Sequence, residues 1–320
     1  MARVGLTHPL RGMIIRPYKS PGPVMDIGEW KATPELNDVY RRARQLGLET
    51  NLAELEAYGF TIVEPEQAAP GAFSRRLLAA TLALVGGEDA DKGGTCARAD
   101  RPIAGRQLYH LLERDAVFVE AMMNPAVLTL AKYLVGASCR LSKIVAFVKD
   151  GPAAPTIVQC DSVGVPPPLP SFGSVCNASW ILTDYTKDRG TFFVVPGSHR
   201  YCRHPTPLDQ PHFLGGPGDD DIGIPITAGP RSLFIFHDNT WHGAYPKLDN
   251  HVRVHVAALF CRNYMDPAQD FTVLPDDFVN RNGLEFARLI GRQAWQGHGS
   301  DGPDLDRVRA ADRIKITPSA

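Results

Sequence analysis

Nowhere does the chain approach the ~18–20 consecutive apolar residues that a bilayer-spanning helix needs, so no transmembrane helix is expected. Its start, Met1 to Pro9, also lacks the continuous apolar core of a secretory signal. Charge of one sign is missing too. With 34 Lys and Arg against 35 Asp and Glu, the net charge of -1 offers no basic face to nucleic acid or to an anionic membrane. The run Arg41, Arg42, Arg44 is short and falls in a helical pattern, which makes it a solvated face. Cysteine is sparse, with six residues scattered from Cys96 to Cys261 and no C-x-x-C pair. That argues against a disulfide scaffold or a zinc site, and favours reduced thiols in a cytoplasmic protein. Disorder is excluded as well, because 44% of the residues are hydrophobic and supply ample mass for a core.

Glycine and proline, by contrast, are abundant: 56 of 320 residues, crowded into the second half. This density implies many turns between short strands. Up to about residue 135 the pattern is mainly helical. Thr33-Pro34 opens a segment with apolar positions at Leu36, Val39, Ala43 and Leu46, and Gly47 closes it. Asn51–Tyr58, Phe73–Val85 and Leu108–Leu134 read as further helices, the last broken at Asn124-Pro125, and Phe60–Val63 has strand character. From Arg140 the period shortens. Leu141–Lys149, Thr156–Asp161, Val175–Asp184, Thr191–Val195, Ser232–His237 and Val252–Tyr264 are rich in Val, Ile, Phe and Tyr, separated by clusters such as Pro196-Gly197-Ser198. The expectation is an α+β chain of one domain: helices in 1–135, a sandwich, jelly roll or barrel in 136–265, then a C-terminal helix and a loose tail in 266–320.

Three segments could carry chemistry. In Thr156–Ser162, Gln159 and Asp161 lie two apart and share a strand face. Asp161 is either a turn cap or a ligand at a barrel mouth under the proline-rich stretch 164–170. In the second segment, Trp180–Arg200, Asp184 reads as a turn residue and His199 as a surface histidine. The third runs from Phe236 to His242, with Arg253 and His255 eleven and thirteen residues after His242. Pro246–Asn250 is a natural reversal, which would let His242 and Arg253 face one cavity from neighbouring strands. A buried Arg253 demands a carboxylate, from the protein as a structural salt bridge or from a ligand.

Taken in order, these segments resemble the phytanoyl-CoA dioxygenase-like family of iron(II)/2-oxoglutarate oxygenases. Its signature is His-x-Asp, a downstream His and an Arg eleven residues later. Asp161, His242 and Arg253 match it in order and spacing, and the stretches around Leu141-Ser142-Lys143 and Trp180–Arg200 extend the likeness over Leu52–Tyr264. The resemblance implies a double-stranded β-helix (jelly-roll, cupin-like) core with packed helices. It implies Fe(II) held by Asp161 and His242 in a 2-His-1-carboxylate triad, which leaves open positions for cosubstrate and oxygen. It also implies 2-oxoglutarate held through Arg253, assisted by Lys143 and His255. A small organic substrate would be oxidised by O2, with succinate and CO2 as co-products.

One departure is plain: the first triad histidine is replaced by Gln159. An amide oxygen is a poorer iron(II) donor than imidazole. Four readings follow: Gln159 is a weak ligand, another residue (His237, His199 or His255) completes the shell, iron binding has been lost, or this copy carries an inactivating substitution. If iron is lost, the chain becomes a non-catalytic carboxylate-binding or structural protein.

Overall fold

The structure, a computed structural model, describes residues 34–69, 71–86, 106–209 and 223–292, together with 298–299 and 302–303. Helices α1 (Pro34–Leu46) and α2 (Glu49–Tyr58) lead into β1 (Phe60–Val63), a single turn α3 (Pro65–Ala68) and α4 (Gly71–Gly86). Strand β2 (Arg106–Leu108) precedes α5 (Ala116–Met123) and α6 (Pro125–Val135). The β-rich part then runs β3 (Arg140–Lys149), β4 (Thr156–Gln159), β5 (Val175–Ile181), β6 (Phe192–Val194), β7 (Ile224–Pro225), β8 (Leu233–His237), β9 (His242–Ala244) and β10 (Arg253–Cys261). Two short helices, α7 (Asp276–Arg281) and α8 (Gly283–Leu289), follow.

Local chemistry explains the helix boundaries. Asp115 caps α5 by accepting from Val117 N, and Asn124 caps α6 by accepting from Ala126 N and Val127 N. Pro125 in the first turn of α6 makes Asn124-Pro125 the expected break. The expected helix from Leu108 is corrected: residues 106–108 are an edge strand, with Arg106 opposite Val148 and Leu108 opposite Ala146. Pairing with β3 overrides the local helical period there, and helix starts only at Ala116. The C-terminal helix is two short ones, and the expected tail lies mostly outside the described residues, as does Cys96. The other five cysteines are free thiols. Among the described residues, no helix is long and apolar enough to cross a membrane.

Two antiparallel sheets face each other, one ordered β1-β8-β5-β10-β3-β2 and the other β4-β9-β6-β7. The strand alternation sorts each residue to a side. On β10, Val254, Val256, Ala258 and Phe260 join the large core packed under the helices, whereas Arg253, His255, Ala257 and Leu259 turn to the space between the sheets. On β8, Leu233 and Ile235 go to the helical side, and Phe234 and Phe236 turn inward. Helices on one outer face and a jelly-roll interior together give an α+β double-stranded β-helix. Within the minor sheet, β9 lies close to its neighbours at Gly243, where an added Cβ would stand 2.4 Å from the Phe193 ring and 2.6 Å from Thr156 O. Gly243→Ala is therefore expected to lower Tm by about 2–12 °C in a thermal melt, the cost of overpacking by ~1–3 kcal/mol.

Candidate active site

The turn Asp238–Trp241 between β8 and β9 fixes the first cluster. Asp238 accepts from Ser174 N at 3.2 and 3.1 Å and from Ser162 Oγ at 3.1 Å, and its carbonyl accepts from Asp161 N at 2.8 Å. Trp241 N donates to Ser198 Oγ at 2.8 Å. This one turn therefore sets both the residues just after β4, where Asp161 lies, and the start of β9, which carries His242. His242 is 4% exposed, and its Nδ1 lies 2.9 Å from Thr240 O. A carbonyl can only accept, so Nδ1 carries a proton, and in the neutral ring Nε2 keeps the lone pair. That lone pair lies 3.7 Å from Asp161 Oδ1. The other oxygen, Oδ2, accepts from Asn177 Nδ2 at 3.2 Å, and Ser179 Oγ steadies Asn177 Oδ1 at 2.8 Å. Two acceptors facing each other across 3.7 Å, each braced from behind, suit a divalent cation, and the braced imidazole is the tautomer a metal requires.

The third position is less well furnished. Gln159 lies directly opposite His242 in the β4–β9 register, exposed and with no hydrogen-bond partner among the described residues. An amide is all that the strand offers there. None of the other three histidines considered joins the cluster. His237 shares its face with Leu233 and Ile235, which pack under the helices, so it does not complete the metal shell as one of the four readings had it. His237 sits 3.0 Å from Asp238 Oδ1, and its ring lies 5.4 Å from that of His199. His199 is not a surface residue either. It is 6% exposed, with Nδ1 unpartnered, because the turn Ser198–Tyr201 folds back against Gly59 and Thr240. Burial, with His237 and Arg200 adding to it, lowers its pKa to about 4. His255 lies at the other end of the barrel. Among the described residues, no three His, Cys, Asp or Glu side chains form a metal-binding group.

That other end is built around Arg253, which is 3% exposed. Its Nη1 donates to the carbonyl of Gly190, and its guanidinium lies 4.7 Å from the Tyr185 ring centre and 5.4 Å from that of Phe192. Gly190, at φ +70°, allows this approach; a Cβ there would be 3.2 Å from Nη1 and 3.0 Å from Lys247 Cβ. Arg253 Nε is buried and has no partner. The nearby carboxylate, Asp249, is taken by Lys247 at 2.6 Å, His251 at 2.9 Å and Arg189 at 3.3 Å. A protein salt bridge for Arg253 is thus absent among the described residues, and of the two sources expected for its carboxylate a ligand remains.

A second cation went unnoticed in the sequence. Lys149 is the register partner of Arg253 across β3 and β10, and makes no hydrogen bond or ion pair among the described residues. Burial, then Arg253, then Lys247 push its pKa down to about 8. His255 is stacked on Phe147 at 4.4 Å, with Nδ1 2.7 Å from Tyr185 Oη. Burial, then Arg253 and Lys149, hold its pKa well below the usual range, so the ring is neutral. Lys143 does not belong to this group. It lies opposite Leu259, six residues along β3 from Lys149, roughly 20 Å at ~3.3 Å per residue.

Comparison with known proteins agrees with this fold. The family model for Phytanoyl-CoA dioxygenase (PhyH) matches residues 55–254. Dioxygenase af480 of Aspergillus fumigatus is 26% identical over 141 residues, covering 43% of this chain and 42% of that protein. An uncharacterised protein of Mycobacterium tuberculosis is 25% identical over 116 residues, 36% of this chain and 39% of that one. The chain thus spans about two-fifths of the length of these curated relatives. Among solved structures, the α-ketoglutarate-dependent epimerase SnoN from nogalamycin biosynthesis superposes with a TM-score of 0.53 at 19% identity, over 68% of this chain and 84% of that one. EctD from S. alaskensis, solved with 2-oxoglutarate and 5-hydroxyectoine, gives 0.54 at 16%, over 67% and 76%. HygX from Streptomyces hygroscopicus, solved with nickel and 2-oxoglutarate, gives 0.54 at 14%, over 72% and 93%. These likenesses extend the jelly-roll assignment, and with the family match over 200 residues the conclusion is direct: the chain belongs to the phytanoyl-CoA dioxygenase family.

Proposed function

We propose that this protein is an iron(II)/2-oxoglutarate-dependent dioxygenase that oxidises a small organic substrate with O2 and releases succinate and CO2. The observation that carries the proposal is a pair of unmet electrostatic demands in one barrel: two facing acceptors that lack a cation, and a buried guanidinium that lacks an anion. Asp161 and His242 would hold the metal, with Gln159 as a neutral neighbour in its shell. Bound iron(II) supplies oxygen activation coupled to decarboxylation of the 2-oxo acid. Arg253 would take the distal carboxylate of 2-oxoglutarate, and Lys149 would lie beside it. The Tyr185, Phe192 and Phe147 rings line this end and exclude water, which strengthens the ionic contact. Neutral His255 lines the same end, so no third positive charge adds to repulsion between Arg253 and Lys149.

A second reading has its own support. Gln159 in place of the imidazole favours a non-catalytic member that binds a carboxylate without turnover. Isothermal titration of 2-oxoglutarate separates the two. The dioxygenase reading expects one equivalent to bind much more tightly with iron(II) than without it, and Asp161→Ala to erase that difference. Binding that ignores the metal supports the carboxylate-binding reading.

Lys149 makes a further expectation. Its ammonium is charged below about pH 8 and neutral above it, with Arg253, Lys247, Asp249 and His255 as the surrounding titratable or charged groups. Affinity for 2-oxoglutarate should therefore weaken as pH rises past this value, by up to roughly tenfold per unit. Lys149→Met should bind more weakly at pH 7 and lose most of the slope between about pH 7.5 and 9.5. An unchanged slope would remove Lys149 from the site.

A further inference from the structure

Lys143 is a further inward cation on β3. It is partly buried on β3 and makes no hydrogen bond or ion pair among the described residues. Across the sheet it faces Leu259 on β10, and Leu259 in turn faces Asn177 on β5, the residue that braces Asp161. Lys143 therefore lies at the level of the Asp161–His242 pair, two strand spacings or roughly 10 Å from Asn177 along the sheet. Around it, Val145, Val175, Leu259 and Cys261 form an apolar cluster, with Tyr109 and Met265 packed at its edge. A half-buried ammonium whose stem lies along apolar side chains suits an anion whose body is apolar.

The carboxylate taken by Arg253 is not the one that Lys143 meets, because roughly 20 Å of strand separates Lys143 from the position opposite Arg253. Strand β3 thus presents cations at two levels, Lys149 beside Arg253 and Lys143 level with the Asp161–His242 pair.

We propose that Lys143 is the recognition residue for the primary substrate, and that this substrate is an amphiphilic anion: an acidic group paired with Lys143 and an apolar body lying on Val145 and Leu259. The proposal deepens the dioxygenase reading and rests on it for the word substrate. The test uses the full chain under anaerobic conditions with iron(II) and saturating 2-oxoglutarate, so that the Arg253 site is filled. Octanoate, 1-octanol and octylamine are compared by isothermal titration. Octanoate should bind about tenfold or more tightly than octanol, the worth of one charge-assisted hydrogen bond, and octylamine should bind least. Lys143→Met should remove the advantage of octanoate and Lys143→Arg should keep it, while both retain the wild-type affinity for 2-oxoglutarate, which also shows that they fold.

Three results would overturn the proposal: no preference for octanoate in the wild type, a preference that survives in Lys143→Met, or a loss in that variant of 2-oxoglutarate affinity alone. If 2-oxoglutarate fails to bind any form of the protein while octanoate recognition still depends on Lys143, the dioxygenase reading fails and the second anion site stands.

Discussion

Replacing Arg253 by Met is expected to abolish measurable 2-oxoglutarate binding while leaving the metal pair in place. The guanidinium is buried, its Nε has no partner, and Asp249 is held by Lys247, His251 and Arg189. Truncating one member of a buried charged contact typically costs ~2–5 kcal/mol, which corresponds to a loss of affinity of roughly 30-fold to several thousand-fold. Isothermal titration at pH 7 with iron(II) present measures it. The same variant removes one source of repulsion at Lys149, whose pKa is held down in part by Arg253, so Lys149 should titrate higher than about 8 in Arg253→Met. A variant that binds 2-oxoglutarate as the wild type does would show that Arg253 serves only the fold.

The second large effect is a gain. Gln159→His should tighten iron(II) binding by at least ~10–100-fold, because losing even an outer partner of a metal ligand commonly costs that much. Position 159 lies directly opposite His242, and its side chain is exposed and free of hydrogen bonds among the described residues, so an imidazole can enter without breaking an existing contact. Asp161, His242 and the introduced imidazole would then complete a set of two histidines and one carboxylate. Competition against a metal indicator gives the ratio directly. No change between the two forms would mean that position 159 does not face the metal, and would remove the basis for treating Gln159 as the departure that matters.

The limits of the sequence follow from what is local and what is not. The strand segments and the order Asp161, His242, Arg253 were legible because alternation and turn residues are local signals. Which face of a strand points inward is not local. His237 alternates with Leu233 and Ile235, and that face belongs to the helical core, while Phe234 and Phe236 take the interior. Register is equally non-local. Lys143 and Lys149 share one face of β3, and only the pairing with β10 puts Lys149, rather than Lys143, opposite Arg253. His199 reads as a surface turn residue because its burial depends on α2 and Gly59, some 140 residues earlier. Leu108 kept its helical appearance because an edge strand of three residues is too short to show a period. Substrate-side chemistry was the least legible, since Lys143, Asn177 and Asp161 come together only through two strand pairings.

The functional proposal stands on Asp161 and His242 holding a divalent cation that also receives 2-oxoglutarate anchored by Arg253. Its most direct test is an anaerobic titration of the unmodified protein with iron(II) and 2-oxoglutarate, read by the visible metal-to-ligand charge-transfer band. The expected result is a band that saturates at one equivalent of each, disappears in His242→Ala and is lost in Arg253→Met. A silent wild type beside a Gln159→His variant that develops the band would contradict the proposal, and would identify this chain as an iron-deficient member of its family.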